Sequence, residues 1–164
     1  MVSMGEPIDE GTLADALPGT WAVAATNFPM WLTGTKLRPQ FSYNLVTRSP
    51  LVLDDDVVYL DEEGAPRQIS GVDKWNGHGF TWRGKGVLRL FASHWTVAGL
   101  SADRSVAVIR FSKSLATPAG VDVIVRVGTD TSELRATIAH ATEDFGLTPE
   151  DFASLSWLET DTKG

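Results

Sequence analysis

The sequence predicts an all-β protein: eight short antiparallel strands that close into an up-and-down barrel, then one C-terminal α-helix and a short final strand. Segments that alternate apolar and polar residues recur along the chain, separated by turns rich in Gly, Pro, Asp and Ser. Strands joined by hairpins form a meander, and closing the meander into a barrel removes its exposed edges. The apolar period changes to a helical one only near the C-terminus.

The predicted elements follow in chain order. Residues 1–16 are expected to form a tail with a short helix, and residues 17–164 a single domain. A helix is predicted from Thr131 or Ser132 to Gly146, because Leu134 and Ile138 begin an apolar series at helical spacing. A final strand is predicted at 155–158. The eight barrel strands are predicted at 20–26, 37–46, 51–60, 67–76, 80–91, 94–100, 106–112 and 121–127.

Two of these strands have unusual compositions. Gly84 and Gly86 fall inside the strand at 80–91, and glycines within a strand predict a bend or bulge that helps a barrel to close. The strand at 51–60 contains the acidic triplet 54–56. Its spacing does not match a calcium-binding loop, so the triplet is expected to form a solvated acidic edge.

The loop after the first strand, residues 27–36, is apolar at Phe28, Met30 and Trp31. Loops usually run through water and are polar, so this one is expected either to pack into a core or to cover an apolar ligand. The lid interpretation is favoured. Pro29 and Gly34 argue against a helix in this loop.

Composition narrows the function classes. The chain has 164 residues, a formal net charge of −7 and no cysteine, and an acidic protein does not suit nucleic-acid binding. No apolar run is long enough to span a membrane, and the first ten residues lack the pattern of a signal peptide. These features together predict a cytoplasmic protein. The six tryptophans indicate either core packing or the flat walls of a ligand pocket.

Three short motifs resemble those of lipocalins, members of the calycin superfamily. Gly19-Thr20-Trp21 matches the Gly-x-Trp signature at the start of the lipocalin barrel. Asp103-Arg104 lies where lipocalins carry a Thr-Asp-Tyr-like turn, with Arg104 in place of the usual aromatic residue. Arg126 matches the arginine that packs across the signature tryptophan, and residues 132–159 resemble the C-terminal part of bacterial lipocalins.

This resemblance implies a barrel closed at Trp21 and open at the other end, with small hydrophobic molecules bound inside. It implies that Gly19, Trp21 and Arg126 form a structural floor, and that the apolar loop lies at the open mouth. An eight-stranded barrel has room for about one small ligand. The candidate ligand-binding residues are Phe28, Met30, Trp31, Tyr43, Trp82, His94, Trp95 and Arg110.

Several of the polar candidates have alternative roles. His94 begins a strand beside Trp95 and is the one histidine expected near the pocket, so it is also the candidate haem ligand. Arg110 is expected either to face solvent or to face inward and bind a ligand carboxylate or enolate. Asp122 is expected to face outward, to face inward where it could take part in acid–base chemistry, or to pair with Arg126 at the floor. No zinc spacing is present, and no metal or cofactor is expected.

Two classes of function follow. The first is a carrier or sequestering protein for a small hydrophobic or aromatic molecule, acting as a monomer or homodimer. The second is an enzyme in the same barrel, an isomerase or cyclase acting on a hydrophobic metabolite, and it is favoured if polar side chains converge inside the barrel. A haem-binding barrel and a barrel filled by its own side chains are the remaining alternatives.

Overall fold

The computed structural model describes residues 7–114 and 118–160. Eight antiparallel strands follow one another around a barrel, and β1 closes it by pairing with both β2 and β8. The eight-stranded up-and-down architecture predicted from the sequence is therefore confirmed. The strands are β1 (Gly19–Thr26), β2 (Leu37–Arg48), β3 (Leu51–Leu60), β4 (Pro66–Trp75), β5 (Phe80–Gly84), β6 (Ala92–Leu100), β7 (Val106–Phe111) and β8 (Gly120–Arg126).

The remaining elements lie at the two ends and on one side of the barrel. Helix α1 (Glu10–Ala16) precedes β1, and helix α2 (Pro29–Leu32) follows it. The C-terminal segment consists of helix α3 (Leu134–His140), a 3₁₀ turn at 142–145, helix α4 (Pro149–Ser154) and strand β9 (Ser156–Trp157). Strand β9 pairs with the end of β1, where Ala25 lies opposite Trp157.

Helix α1 covers the closed end of the barrel. Asp9 caps it by accepting a hydrogen bond of 2.8 Å from the backbone N–H of Thr12. Leu13 and Leu17 are almost fully buried and belong to the same apolar cluster as Trp21. The short helix predicted before the first strand therefore packs as part of the barrel's core.

A second apolar cluster lies between the outer face of the barrel and the C-terminal segment. Val108 and Val123 point outward from β7 and β8 and are fully buried there, beneath Leu134, Ile138 and Phe145. These two strands are consequently covered on both faces. Simple alternation between buried and exposed residues fails on this side of the barrel.

The loop at 27–36 contains a helix, contrary to the prediction. Helix α2 spans only Pro29–Leu32, and Pro29 occupies its first turn. A proline at this position loses no helical hydrogen bond, and its fixed φ angle suits the start of a helix. The residue taken as a helix breaker therefore begins the helix.

The single strand predicted at 80–91 is divided. Strand β5 ends at Gly84, a 3₁₀ turn spans 86–88, and β6 begins at Ala92. Gly86 has a φ of 62°, in the left-handed region outside the extended conformation of a regular strand, and a side chain on Gly84 would collide with Leu88. The two glycines thus end the strand instead of bending it.

Some predicted features lie outside the described residues: 1–6 of the tail, 115–117 of the turn before β8, and 161–164 at the end of the predicted domain. Within the described residues, every helix is too short or too polar to cross a membrane.

Candidate ligand-binding site

The three sequence motifs meet at the closed end of the barrel. The Arg126 guanidinium lies 4.6 Å from the ring centroid of Trp21, whose indole N–H donates a hydrogen bond of 2.9 Å to the carbonyl of Leu17. Arg126 donates to the carbonyls of Ala16, of Pro18 (3.2 Å) and of Arg104 (3.1 Å). It therefore ties helix α1, the first strand and the turn before β7 together.

Gly19 makes this arrangement possible. Its φ is 133°, and a Cβ atom there would lie 2.5 Å from a guanidinium nitrogen of Arg126. A side chain at this position would strain the backbone and displace the arginine.

A cavity of about 330 Å³ lies inside the barrel, away from this floor. Its volume is at the lower end of the range found for small-molecule sites. Aromatic residues make up about half of the described residues that line it. The rings contributed by the barrel strands and by the segment before β6 are Phe41, Tyr43, Trp82, Phe91, Trp95 and Phe111.

Trp95 organises the deeper part of this wall. Its ring stacks on Phe80 at 4.4 Å on one side and lies 5.7 Å from the Tyr43 ring, also stacked, on another. Its indole N–H donates a hydrogen bond of 2.9 Å to a carboxyl oxygen of Asp73. Stacking and this hydrogen bond together fix the orientation of the ring.

The apolar loop covers part of the cavity, as Phe28, Met30 and Trp31 all line it. The Phe28 and Phe111 rings pack edge to face, with their centroids 5.0 Å apart. The backbone N–H of Phe28 donates a hydrogen bond of 2.9 Å to the hydroxyl of Thr26. The Trp31 ring centroid is 6.2 Å from that of Phe41. We call residues 28–32 the lid. The lid is packed into the aromatic wall and is continuous with it.

Three carboxyl groups are buried inside the barrel: Asp55 on β3, Asp73 on β4 and Asp122 on β8. Asp55 and Asp122 line the cavity. One oxygen of Asp55, one of Asp73 and both of Asp122 lack hydrogen-bond partners within the described part of the chain. Buried carboxyl groups in this state are costly when ionised.

Burial raises the pKa values of all three acids. For Asp73, the charge of neighbouring Asp55 raises the pKa further, as expected for two carboxyls that compete for one proton. The pKa of Asp122 is raised to about 7 by burial, and the nearby Thr26 and Trp31 side chains lower it only partly. Burial also raises the pKa of the Tyr43 phenol, and all three carboxylates add to that effect.

His94 requires a correction, because the structure places its side chain on the outer face of β6. Trp95 points inward, so its neighbour along the strand points outward. The His94 side chain is exposed, and its Nδ1 lies 3.0 Å from the hydroxyl of Thr81. The haem hypothesis thereby loses its proposed ligand, since His78 and His140 are also exposed.

Arg110 requires the same correction, because it also lies outside the lumen. It donates a hydrogen bond of 2.7 Å to the carbonyl of Gly146 and pairs with Asp151 of helix α4. Its neighbour Ile109 is the residue that faces the interior cluster. Arg110 therefore holds the C-terminal segment against β7.

Asp122 does not pair with Arg126. It lies beside Thr26 and Ile109 toward the mouth, whereas Arg126 lies beside Trp21 at the floor. Four residues of strand, about 13 Å, separate the two.

Sequence reasoning missed the buried acids Asp55 and Asp73, although a signal for Asp55 was present. Leu51 and Leu53 are buried and share the inward face of β3, and the same alternation places Asp55 inward. Its two neighbours in the triplet face outward. Asp54 forms an ion pair of 2.9 Å with Lys85, and Asp56 accepts a hydrogen bond of 2.7 Å from the Ser70 hydroxyl. The triplet is thus a solvated edge at 54 and 56 and a buried group at 55.

The chain matches no family model, and no curated protein matches it. Its structure does match solved structures. Lobster apocrustacyanin A1 aligns with a TM-score of 0.63 at 12% identity, covering 93% of this chain and 86% of that one. The siderocalin Ex-FABP aligns with a TM-score of 0.58 at 14% identity, covering 89% of this chain and 95% of that one. The amine-binding protein of Rhodnius prolixus, solved with tryptamine, aligns with a TM-score of 0.60 at 11% identity, covering 98% of this chain and 89% of that one.

These neighbours are lipocalins. At such low identity the similarity establishes architecture, and it agrees with the closed barrel and with the three motifs at its floor. The chain has the lipocalin fold, an eight-stranded barrel closed by its own first strand.

Proposed function

We propose that the protein binds a small hydrophobic or aromatic molecule inside the barrel and carries or sequesters it. The cavity of about 330 Å³ with its aromatic wall is the observation that supports this most directly. The structural neighbours agree in kind, since one is a siderocalin and another an amine-binding protein. The cytoplasmic location, the lack of nucleic-acid partners and the monomeric or dimeric state stay predictions, as do the domain limits.

Intrinsic fluorescence tests this proposal, because three of the six tryptophans line the cavity: Trp31, Trp82 and Trp95. We expect a panel of neutral aromatic ligands to change the emission saturably. Trp31→Ala should weaken the response by removing part of the lid. Trp157→Ala, which alters a tryptophan on β9 outside the cavity, should leave it intact. A panel without any saturable response would favour a barrel that takes no ligand.

A second candidate function is an isomerase or cyclase, and the buried acids favour it. Proton transfer at neutral pH needs a group with a pKa near 7, and Asp122 has such a value. Asp122 would act as general acid and base on a bound hydrophobic metabolite. Incorporation of deuterium from D₂O into a carbon position of the bound molecule would favour this candidate over a carrier.

A further inference from the structure

Asp122 is one of two acids in the wall of a largely apolar cavity. Its side chain is 0% exposed, lies in the cavity wall, and has no hydrogen-bond partner for either oxygen within residues 7–114 and 118–160. The side chains of Thr26 and Trp31 are close enough to lower its pKa, although burial outweighs them. Asp55 and Asp73 differ, because two adjacent carboxyls can share one proton between them. Of the three buried acids in the described part of the chain, Asp122 is the one without a neighbouring carboxyl with which to share a proton.

We propose that the barrel selects an organic cation, an amine protonated on nitrogen and joined to an aromatic or aliphatic body, whose ammonium group is held by Asp122. This inference rests on the proposed ligand-binding function and specifies the class of ligand. An ammonium group supplies both hydrogen-bond donors and an opposite charge to a carboxylate. The resulting charge-assisted hydrogen bonds are stronger than those between neutral groups.

The surroundings of Asp122 suit such a ligand. Tyr43, Trp31 and Trp95 also line the cavity, and aromatic faces attract weakly hydrated organic cations. In the described part of the chain, no lysine, arginine or histidine lines the cavity. Asp55 adds further negative charge to the same wall once it ionises. An anionic ligand would therefore find no opposite charge in this wall, and an ionised Asp122 would repel it.

A metal ion fits less well than an amine. The described residues contain no group of three or more acids, histidines or cysteines placed to hold one. Hard divalent cations take six or more oxygen ligands, whereas an ammonium group needs few partners and carries its own apolar body. The aromatic wall would contact that body.

Binding should be linked to release of a proton from Asp122. The groups that face it from neighbouring elements are the uncharged Thr26 and Trp31, and the wider cavity adds Tyr43 and the pair Asp55–Asp73. Because the pKa of Asp122 is about 7, the ionised form is a minority at pH 6 and predominates at pH 8. The affinity for an amine should rise about tenfold over this interval.

Calorimetric titration with two matched probes tests the inference. 2-(1-Naphthyl)ethylamine is cationic at pH 6–8, and 2-(1-naphthyl)ethanol has nearly the same shape without charge. At pH 8 we expect the amine to bind at least about tenfold more tightly than the alcohol, the effect of a charge-assisted hydrogen bond. The alcohol should bind equally at pH 6 and pH 8. This comparison uses the unaltered protein and does not depend on the folding of a variant.

Two variants locate the effect. Asp122→Asn should reduce the preference for the amine to less than about threefold and remove most of its pH dependence, because the partner charge is lost and only the more distant Asp55 still ionises. Asp54→Asn, a matched change on the outer face of β3, should preserve both. Equal binding of amine and alcohol by the wild type, or an unchanged preference in Asp122→Asn, would overturn the inference and leave the proposed function standing. Failure of both probes to bind would count against the proposed function itself.

Discussion

Replacing Trp21 by alanine is expected to lower the free energy of unfolding by about 3–5 kcal/mol, the range for deleting a large core side chain. Trp21 is 0% exposed, contacts the guanidinium of Arg126 and donates a hydrogen bond to Leu17. Its removal leaves a cavity and deprives the Leu17 carbonyl of its donor. The packing of helix α1 against the floor should weaken as well.

Urea or guanidinium denaturation of the purified variant measures this loss. Trp157→Ala serves as a control, since Trp157 is only partly buried on the short strand β9 and should cost less. A loss below about 1 kcal/mol for Trp21→Ala would show that the floor does not depend on this residue. An equal loss for both variants would also contradict the role assigned to Trp21.

The second large effect concerns pH. Asp122→Asn is expected to stabilise the protein relative to wild type by about 2–3 kcal/mol more at pH 8 than at pH 5. Burial raises the pKa of Asp122 to about 7 from an ordinary value near 3.8. Between these values the unfolded chain has lost the proton that the folded chain retains. The free energy of unfolding of the wild type therefore falls as the pH rises from about 4 to about 7. Asparagine cannot ionise, so the variant lacks the part of this decrease that is due to Asp122.

Denaturant unfolding of wild type and variant at both pH values measures the difference. Asp55 and Asp73 titrate in both proteins, so their effects largely cancel in the comparison. Asp54→Asn, which changes a half-exposed carboxylate on the outer face of β3, should alter stability by less than about 1 kcal/mol at either pH. The account would be contradicted if the effect of Asp122→Asn were the same at pH 5 and pH 8.

Local pattern was sufficient to predict the barrel and its floor. Alternation along β2 correctly indicated that Phe41 and Tyr43 share a buried face. The Gly-x-Trp motif and Arg126 carry enough information to be identified from residue type and order. Aromatic residues in the lid and on the strands were also recognisable, because a large apolar side chain must be buried somewhere.

The polar part of the site was harder to predict, for a physical reason. The side of a strand that a charged residue occupies depends on what covers the other side. Arg110 and Asp122 lie on strands buried on both faces, so average exposure gave no guide to either. Arg110 is held by Gly146 and Asp151, residues 36 and 41 positions later in the chain. Contacts between residues so far apart in the chain cannot be predicted from the local pattern of apolar and polar residues.

The claim that the barrel interior is the ligand site can be tested by blocking it. Ser93 lines the cavity, and its neighbour His94 lies on the outer face of the same strand. Titration calorimetry with 2-(1-naphthyl)ethanol should show one site in the wild type and in His94→Phe. In Ser93→Phe, whose ring would occupy part of the cavity of about 330 Å³, the affinity should fall at least about tenfold. Unchanged binding by a folded Ser93→Phe variant would contradict the claim.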